Sequence, residues 1–356
     1  MGQDSDMPRR ATTVLAPALL LVIALSVAGF TADTLPATLS DHEFWSLTAQ
    51  LSEPNGYFVS QSGSPDNLLS NEVQVSTVAA TLAQAVKPSG VYLGVGPEQN
   101  FSYIAATRPP IAFITDIRRG NLDLHLLYKA VFEMSASRAE FVARLFSRQL
   151  PASLPPTSSA AQLMRVASVA APVDESVFRS NLNAVTAHLM NAHAFPLTVE
   201  DLANIAHAYR AFYRFGPAID YTSSINGRTG RFSSYATIIS SVDRESGVER
   251  SFLANEQNFA LIKTMESKNL IVPIVGDFAG PKALRLLGVW LKARGAHVGL
   301  FYVSNVEQYL QRKGVWPAFC ANVTTLPIDS TSVFVRPGRG GSPLSPMAAE
   351  AAGCGK

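Results

Sequence analysis

The sequence predicts an α/β protein with a doubly wound, mostly parallel sheet and a helical insertion. Charged residues make up only 16% of the 356 residues and hydrophobic residues 47%, as expected when strands are buried on both faces. Short apolar runs alternate with segments of helical periodicity at both ends of the central region. Glycines and polar residues directly follow these runs, where parallel sheets bind their ligands.

The first of two strand–helix–strand units extends from Gly90 to Phe146. Apolar runs at 91–95 and 111–115 predict two strands, and the segment 97–106 predicts a turn that leads into a helix. Residues 122–132 carry apolar side chains at helical spacing and predict a second helix. The order of these elements indicates a βαβ unit.

The second unit lies between residues 269 and 335. Apolar runs at 270–275 and 297–303 predict strands, and a helix is expected from Pro281 to Ala293, where Gly295 ends it. Residues 331–336 predict a last strand at the edge of the sheet. Because crossover connections are right-handed, such units favour a parallel sheet.

The remaining chain divides by composition. Residues 1–35 form a targeting segment, residues 36–336 the α/β domain, and residues 337–356 a flexible tail rich in Gly, Pro and Ser. Residues 40–85 are mostly helical in pattern. A helical insertion at about 150–233, with helices at 181–193 and 199–215, is expected to form a lid or wall. Thr198 and Asp201 resemble a capping box.

The targeting segment predicts a location in the cell envelope. Arg9 and Arg10 precede an apolar run of 17 residues from Val14 to Phe30, and Ser26–Ala28 within its last part gives a small-x-small cleavage site. This order is typical of a secretory signal peptide. The run also reaches the lower limit for a membrane span, so an uncleaved anchor, including one that leaves the domain facing the cytoplasm, remains an alternative.

Several function classes have no support in the sequence. A net charge of +2 gives no electrostatic reason to expect a nucleic-acid partner. The two cysteines, Cys320 and Cys354, suggest neither a disulfide framework nor a zinc site. His188 and His193 stand five residues apart, the wrong spacing for one face of an α-helix, so no metal is expected. HExxH, GxSxG and P-loop motifs are missing from the sequence.

The most informative motif follows the first predicted strand. Gly94 and Gly96 allow the backbone to turn tightly and approach a ligand, and the next helix would offer free N–H groups. Asp116 stands 22 residues after Gly94, at the end of the second strand, where a carboxylate can bind two ribose hydroxyls. This pattern favours a nucleoside-type small-molecule ligand. Alternatively, the glycines form only a tight turn and Asp116 caps the next helix.

This segment resembles the cofactor-binding half of class I S-adenosylmethionine-dependent methyltransferases. The resemblance implies that Gly94 and Gly96 match the loop around the methionine part of the cofactor, and that Asp116 matches the acid that binds the ribose. Gln99 stands where a dinucleotide-binding fingerprint has its third glycine, which disfavours a nicotinamide cofactor. More narrowly, the blocks GVGPEQNFSYI, TDIRRGN, VGDFAGPKALR and SNVEQYL resemble a bacterial family of uncharacterised proteins with this Rossmann-like fold.

The resemblance extends to other polar residues after the strands. Glu98, Asn100 and Arg118 join Gly94, Gly96 and Asp116 as expected cofactor-binding residues. Asp277, Glu307 and Tyr309 are candidates for a general base in methyl transfer. Helix capping, turn formation or burial in the core would also explain these three residues.

Two functions follow as expectations. The first is an S-adenosylmethionine-dependent methyltransferase with an unidentified acceptor. The second is a non-catalytic, envelope-associated protein that binds a small ligand on a degenerate methyltransferase-like scaffold. The second is motivated by the N-terminal segment, because it predicts export whereas S-adenosylmethionine is kept in the cytoplasm.

Overall fold

A computed structural model describes residues 1–2, 34–58, 63, 66–151, 154–337 and 342–354. The apolar run at 14–30, with its predicted role as signal peptide or anchor, lies outside the described residues. Within the described ranges, no helix has both the length and the apolar character that crossing a bilayer requires. Residues 33–356 form one compact unit, to which the following description refers.

A mostly parallel sheet of six strands forms the centre of this mixed α/β unit. The strands are β1 (Val91–Gly94), β2 (Ala112–Asp116), β3 (Ile271–Val275), β4 (Val298–Tyr302), β5 (Val333–Val335) and β6 (Leu344–Pro346). Their order across the sheet is β3-β2-β1-β4-β5-β6, and only β6 runs antiparallel to its neighbour. Strands β1 to β4 are buried along their whole length, as their continuous apolar sequences predict.

The chain places β2 and β3 on one side of β1 and β4 to β6 on the other side. Strand β1 pairs with β2 on one side, through Leu93 and Phe113, and with β4 on the other, through Leu93 and Phe301. The chain therefore leaves β1 toward one edge and returns on its other side more than 200 residues later. Such a switch point opens a crevice at the carboxyl ends of the two neighbouring strands.

The helices that precede the insertion pack against β2, β3 and one another. They are α1 (Asp41–Leu51), α2 (Val75–Ala85), α3 (Gln99–Thr107), α4 (Arg119–Glu133) and α5 (Arg138–Phe146). Helix α1 packs against β3, and α4 packs against both β2 and β3. Helix α4 is buried from Asn121 to Phe132, and the buried side chains include the polar Asp123, His125 and Lys129.

The predicted insertion is helical. It contains α6 (Ala160–Val169), α7 (Glu175–Ala187), α8 (Val199–Phe215) and α9 (Ser223–Asn226), and α10 (Tyr235–Ile239) follows it. Helix α8 has the predicted bounds and begins with the predicted capping box of Thr198 and Asp201. It packs against α4 and α5, and Arg119 of α4 binds the Asp201 carboxylate at 2.8 and 3.0 Å.

The later helices complete the second unit. They are α11 (Glu256–Ser267), α12 (Ala283–Ala293), α13 (Val306–Arg312), α14 (Trp316–Val323) and α15 (Met347–Gly353). Gly295 adopts a φ of +59° just after α12, in agreement with its predicted role as a helix stop.

The C-terminal segment differs from the expectation of a flexible tail. Residues 342–354 form β6 and α15, so β5 lies inside the sheet rather than at its edge. Cys354, at the end of α15, forms a disulfide with Cys320 of α14. The prediction that the two cysteines build no disulfide is therefore wrong. The Gly/Pro-rich composition did not reveal that a three-residue strand returns along β5 and brings the cysteines together.

Candidate functional site

A crevice of about 830 Å³, including its open mouth, lies at the carboxyl ends of β1 to β4. Gly96, Asp116, Asp277 and Tyr309 all line it, so the structure brings together residues from both predicted units. Gly94, Glu98, Asn100 and Glu307 do not line it.

The Asn100 side chain holds the turn between β1 and α3. Its Nδ2 donates to the carbonyl oxygens of Val95, Gly96 and Pro97 at 2.9, 3.1 and 2.8 Å. Its Oδ1 accepts from the Tyr92 hydroxyl at 2.8 Å. Asn100 is fully buried, so its role is to fix the wall of the crevice rather than to contact a ligand.

His125, which was not a candidate site residue from the sequence, also forms a hydrogen bond with this turn. Its Nε2 lies 2.9 Å from the Gly96 carbonyl oxygen. Burial lowers the pKa of His125 to about 4, so the ring is neutral near pH 7 and its Nε2–H donates to Gly96. Gly96 has a φ of +76°, a conformation that favours glycine.

Gly94 and Glu98 have different roles from those that the resemblance implied. A Cβ on Gly94 would lie 2.1 Å from Asn100 Oδ1 and 2.7 Å from Tyr92 Cε1, so this glycine makes room for the Asn100 contacts. Glu98 is fully buried and accepts from the Ser70 N–H at 3.1 and 3.2 Å. Burial raises the pKa of Glu98 to about 8.

Asp116 and Arg118 form a buried ion pair at the end of β2. Arg118 Nε and Nη2 each lie 3.0 Å from one Asp116 oxygen, and the Arg118 N–H donates to Oδ1 at 3.0 Å. The pair fixes the direction of the carboxylate. Oδ1 accepts two hydrogen bonds from Arg118 and Oδ2 accepts one, so Oδ2 retains a lone pair that can accept a hydrogen bond from a ligand in the crevice.

Asp277 follows β3 at the side of the crevice next to Asp116. The Glu53 carboxylate accepts hydrogen bonds from the N–H groups of Asp277, Lys282 and Ala283 at 2.9–3.1 Å, which holds the β3–α12 loop. Asp277 Oδ1 accepts from the Ala279 N–H at 2.9 Å. The loop therefore orients the Asp277 carboxyl without forming an ion pair with it among the described residues.

A buried polar network lies at the end of β4. The hydroxyls of Tyr302 and Ser304 donate to Glu72 Oε1 at 2.6 and 2.7 Å, and Gln99 Nε2 donates to the Tyr302 oxygen at 2.9 Å. Gln99, Tyr302 and Ser304 all line the crevice. Burial raises the pKa of Glu72, although the two hydroxyls oppose the shift.

Aromatic side chains form another wall of the crevice. Phe58 and Tyr309 meet edge to face with ring centroids 4.7 Å apart, and the Arg118 guanidinium lies 5.5 Å from the Phe58 centroid. Tyr221, from the insertion, also lines the crevice, so the insertion forms part of the predicted wall. These rings offer flat apolar surface for a ligand ring.

Glu307 lies away from the crevice. Arg336 donates to its two carboxylate oxygens at 2.6 and 2.7 Å, and the same guanidinium binds Glu350 of α15. Glu307 therefore ties β5 and α15 to α13. The contact of Arg336 with Glu350 could not be anticipated while residues 337–356 were expected to be a tail.

The argument from histidine spacing is also wrong. Residues His188–Ala192 form a π-helical turn after α7. In this geometry residues five apart lie on one face, and the Nε2 atoms of His188 and His193 both approach Glu133 Oε2, at 2.7 and 2.6 Å. No feature of the sequence signals the change from α to π geometry.

Comparison with known proteins identifies the family. A family model described as a domain of unknown function (DUF7790) matches residues 68–154 and 231–349, more than half of the chain. The chain therefore belongs to this family. No curated protein matches it. The matched ranges include Gly96, Asp116, Asp277 and Tyr309, whereas Tyr221 lies in the unmatched insertion.

Replacement of Gly94 tests the packing of the turn. We expect Gly94→Ala to lower the free energy of unfolding by about 1–3 kcal/mol, because the methyl group would overlap Asn100 and Tyr92. Urea unfolding measures the change. Gly120→Ala is the matched control, since a Cβ there meets nothing within 4 Å, and it should leave stability equal or slightly higher. Equal stability of wild type and Gly94→Ala would contradict the packing.

Glu98→Gln tests the buried carboxyl. Because the pKa of Glu98 is about 8 in the folded state, an unfolded chain releases this proton at lower pH than the folded chain does. Stability should therefore fall as pH rises from 5 to 8. We expect this fall to be smaller in Glu98→Gln than in wild type by at least about 1.4 kcal/mol, the equivalent of one pKa unit.

Urea unfolding at pH 5 and pH 8 measures this difference. The exposed Glu245, changed to Gln, is the control and should retain the wild-type pH dependence. An identical pH dependence in Glu98→Gln and wild type would show that Glu98 is ionised in the folded protein.

Proposed function

We propose that the crevice binds S-adenosylmethionine and that the protein is a methyltransferase with an unidentified acceptor. The observation that carries the proposal is that the Gly96 turn and the Asp116 carboxylate line the same crevice at a switch point of the sheet. Ligands of open α/β sheets bind at this position. Bound S-adenosylmethionine would supply an activated methyl group.

The sheet supports the same proposal. Its strand order, β3-β2-β1-β4-β5-β6, is that of a doubly wound nucleotide-binding sheet. The antiparallel β6 departs from a fully parallel arrangement, but it lies at the edge far from β1 and β2. The expected doubly wound, methyltransferase-like architecture is therefore part of the proposal.

Each wall of the crevice has a distinct role in it. The Gly96 turn allows the ligand to approach the backbone, and Asp116 Oδ2, oriented by Arg118, accepts a hydrogen bond from a ribose hydroxyl. Phe58 and Tyr309 provide apolar surface for the adenine ring. Glu98 and Asn100 do not contact the ligand in this proposal, because both side chains are fully buried.

Asp277 is the favoured general base. It lines the crevice, belongs to the loop that Glu53 orients, and is more accessible than the buried Glu98. Tyr309 remains the second candidate, since it lines the crevice from α13. In the proposed reaction, Asp277 would take the proton of the acceptor as the methyl group is transferred, provided that acceptor and methyl are aligned.

Calorimetric titration of the full chain with S-adenosylmethionine tests the proposal. We expect saturable binding, weakened at least about tenfold in Asp116→Asn, because a charged hydrogen-bond acceptor is lost. Glu245→Gln, an exposed carboxylate replaced in the same way, should bind like wild type. Circular dichroism checks that each variant is folded. Folded wild type that shows no saturable heat up to about 1 mM would refute S-adenosylmethionine binding.

The disulfide favours a second candidate, a non-catalytic, envelope-associated protein that binds another small ligand in the same crevice. Disulfides persist mainly in oxidising compartments, outside the bacterial cytoplasm. Cys320 and Cys354 are paired here, and the sequence at 9–30 predicts export or a membrane anchor. Both observations disfavour access to cytoplasmic S-adenosylmethionine.

Thiol trapping in acid-quenched cells separates the two candidates. The envelope protein predicts that neither Cys320 nor Cys354 reacts with a mass-tagged maleimide until a reductant is added, because both are in the disulfide. The cytoplasmic methyltransferase predicts two tags per chain without reductant. Cys354→Ser is the control, since it leaves Cys320 as a single thiol in either compartment.

A further inference from the structure

A cluster of metal-ligating side chains lies where the insertion meets the core. Glu133 is at the end of α4, His188 begins the π-helical turn after α7 and His193 directly follows it, and their ligand atoms all lie within 4.8 Å of one another. The two histidines are in the insertion and outside the ranges that the family model matches, whereas Glu133 is inside them.

We propose that Glu133, His188 and His193 bind one divalent transition-metal ion of the Zn²⁺ type, which fastens the insertion to the core. Two imidazoles and one carboxylate are a common ligand set for Zn²⁺, and a water molecule completes four-coordination. His188 is 26% exposed, compared with 12% for His193 and 8% for Glu133. Solvent can therefore reach the fourth position from the His188 side.

The orientation of the ligand atoms fits this assignment. Both Nε2 atoms point at the same oxygen, Glu133 Oε2, at 2.7 and 2.6 Å. Ligand atoms around tetrahedral Zn²⁺ are about 3.3 Å apart for bonds of about 2.0–2.1 Å. Moving each imidazole nitrogen away from Glu133 Oε2 by about 0.6–0.7 Å would give this spacing for both nitrogen–oxygen pairs.

The other ring nitrogen of His193 has the partner that a metal-bound histidine requires. Its Nδ1 lies 2.7 Å from Asp41 Oδ1, and Asn269 Nδ2 donates to the same oxygen at 2.9 Å. The ring also stacks on Phe195, with centroids 4.9 Å apart. A carboxylate behind the imidazole fixes its tautomer and increases its basicity as a ligand, so Asp41 is a positioning residue.

Lys129 neutralises part of the cluster without competing for the ligand atom. Its Nζ donates to Glu133 Oε1 at 2.8 Å and to the Glu266 carbonyl oxygen. Oε2 is thus the oxygen that remains for the ion. The two carboxylates of Glu133 and Asp41 outweigh the single lysine charge, which favours a cation at this point.

The π-helical turn explains why both histidines reach the site. The His193 N–H donates to the His188 carbonyl oxygen at 3.3 Å, the i to i+5 bond of a π-helix. A continued α-helix would direct the two rings to different faces. π-turns are uncommon and occur frequently at functional sites, which agrees with a role in metal binding.

Metal titration of the full chain tests the proposal. After treatment with EDTA and dialysis, we expect one Co²⁺ per chain, with the visible absorption of a four-coordinate ion, and its displacement by Zn²⁺. His188→Gln and His193→Gln should each weaken Zn²⁺ binding at least about 100-fold, and Asp41→Asn about 10- to 100-fold. His207→Gln is the matched control, because His207 lies on α8 of the same insertion and pairs with Asp66.

A chemical measurement on wild type covers the case in which a variant fails to fold. Zn²⁺ should protect His188 and His193 from acylation by diethyl pyrocarbonate and leave the exposed His42 reactive. Wild-type affinity in His188→Gln and His193→Gln would overturn the proposal. So would a lack of saturable Co²⁺ binding, or equal acylation of the two histidines with and without Zn²⁺.

Discussion

The crevice depends on the hydrogen bonds that the Asn100 side chain forms with the turn between β1 and α3. Its amide group donates to three carbonyl oxygens of the turn, of which those of Val95 and Gly96 also contact Gln99 and His125, and a buried tyrosine hydroxyl donates to its Oδ1. Unpaired carbonyl groups in this place would be costly. A Cβ at Gly94 would overlap the Asn100 side chain, so this first glycine of the motif is required for packing. Of the two glycines, only Gly96 lines the crevice.

Most of the central architecture could be predicted because it follows from local pattern. Continuous apolar runs identified β1 to β4, and the acid at the end of β2 did lie beside the glycine turn in one crevice. The roles of Glu98 and Asn100 could not be predicted. Both lie next to the glycines in sequence, but α3 directs their side chains toward Ser70 and Tyr92 in the interior.

Two of the failures depend on contacts between distant segments, and a third depends on a local change of helical pitch. The Cys320–Cys354 disulfide and the Arg336–Glu350 pair exist because β6 returns along β5. The convergence of His188 and His193 depends on one π-helical turn. Composition and α-helical spacing describe neighbours along the chain, so they are silent on such returns and on local changes of helical pitch.

The pairing of β1 with β4 also has a consequence for biogenesis. Residues of the crevice wall come from both halves of the chain. Leu93 cannot pair with Phe301 until the ribosome has added more than 200 further residues. Closing so long a loop is slow, and the apolar edge of β1 is meanwhile uncovered. The complete crevice is therefore a property of the finished chain, and a nascent chain that stops before β4 would expose an apolar strand edge to chaperones.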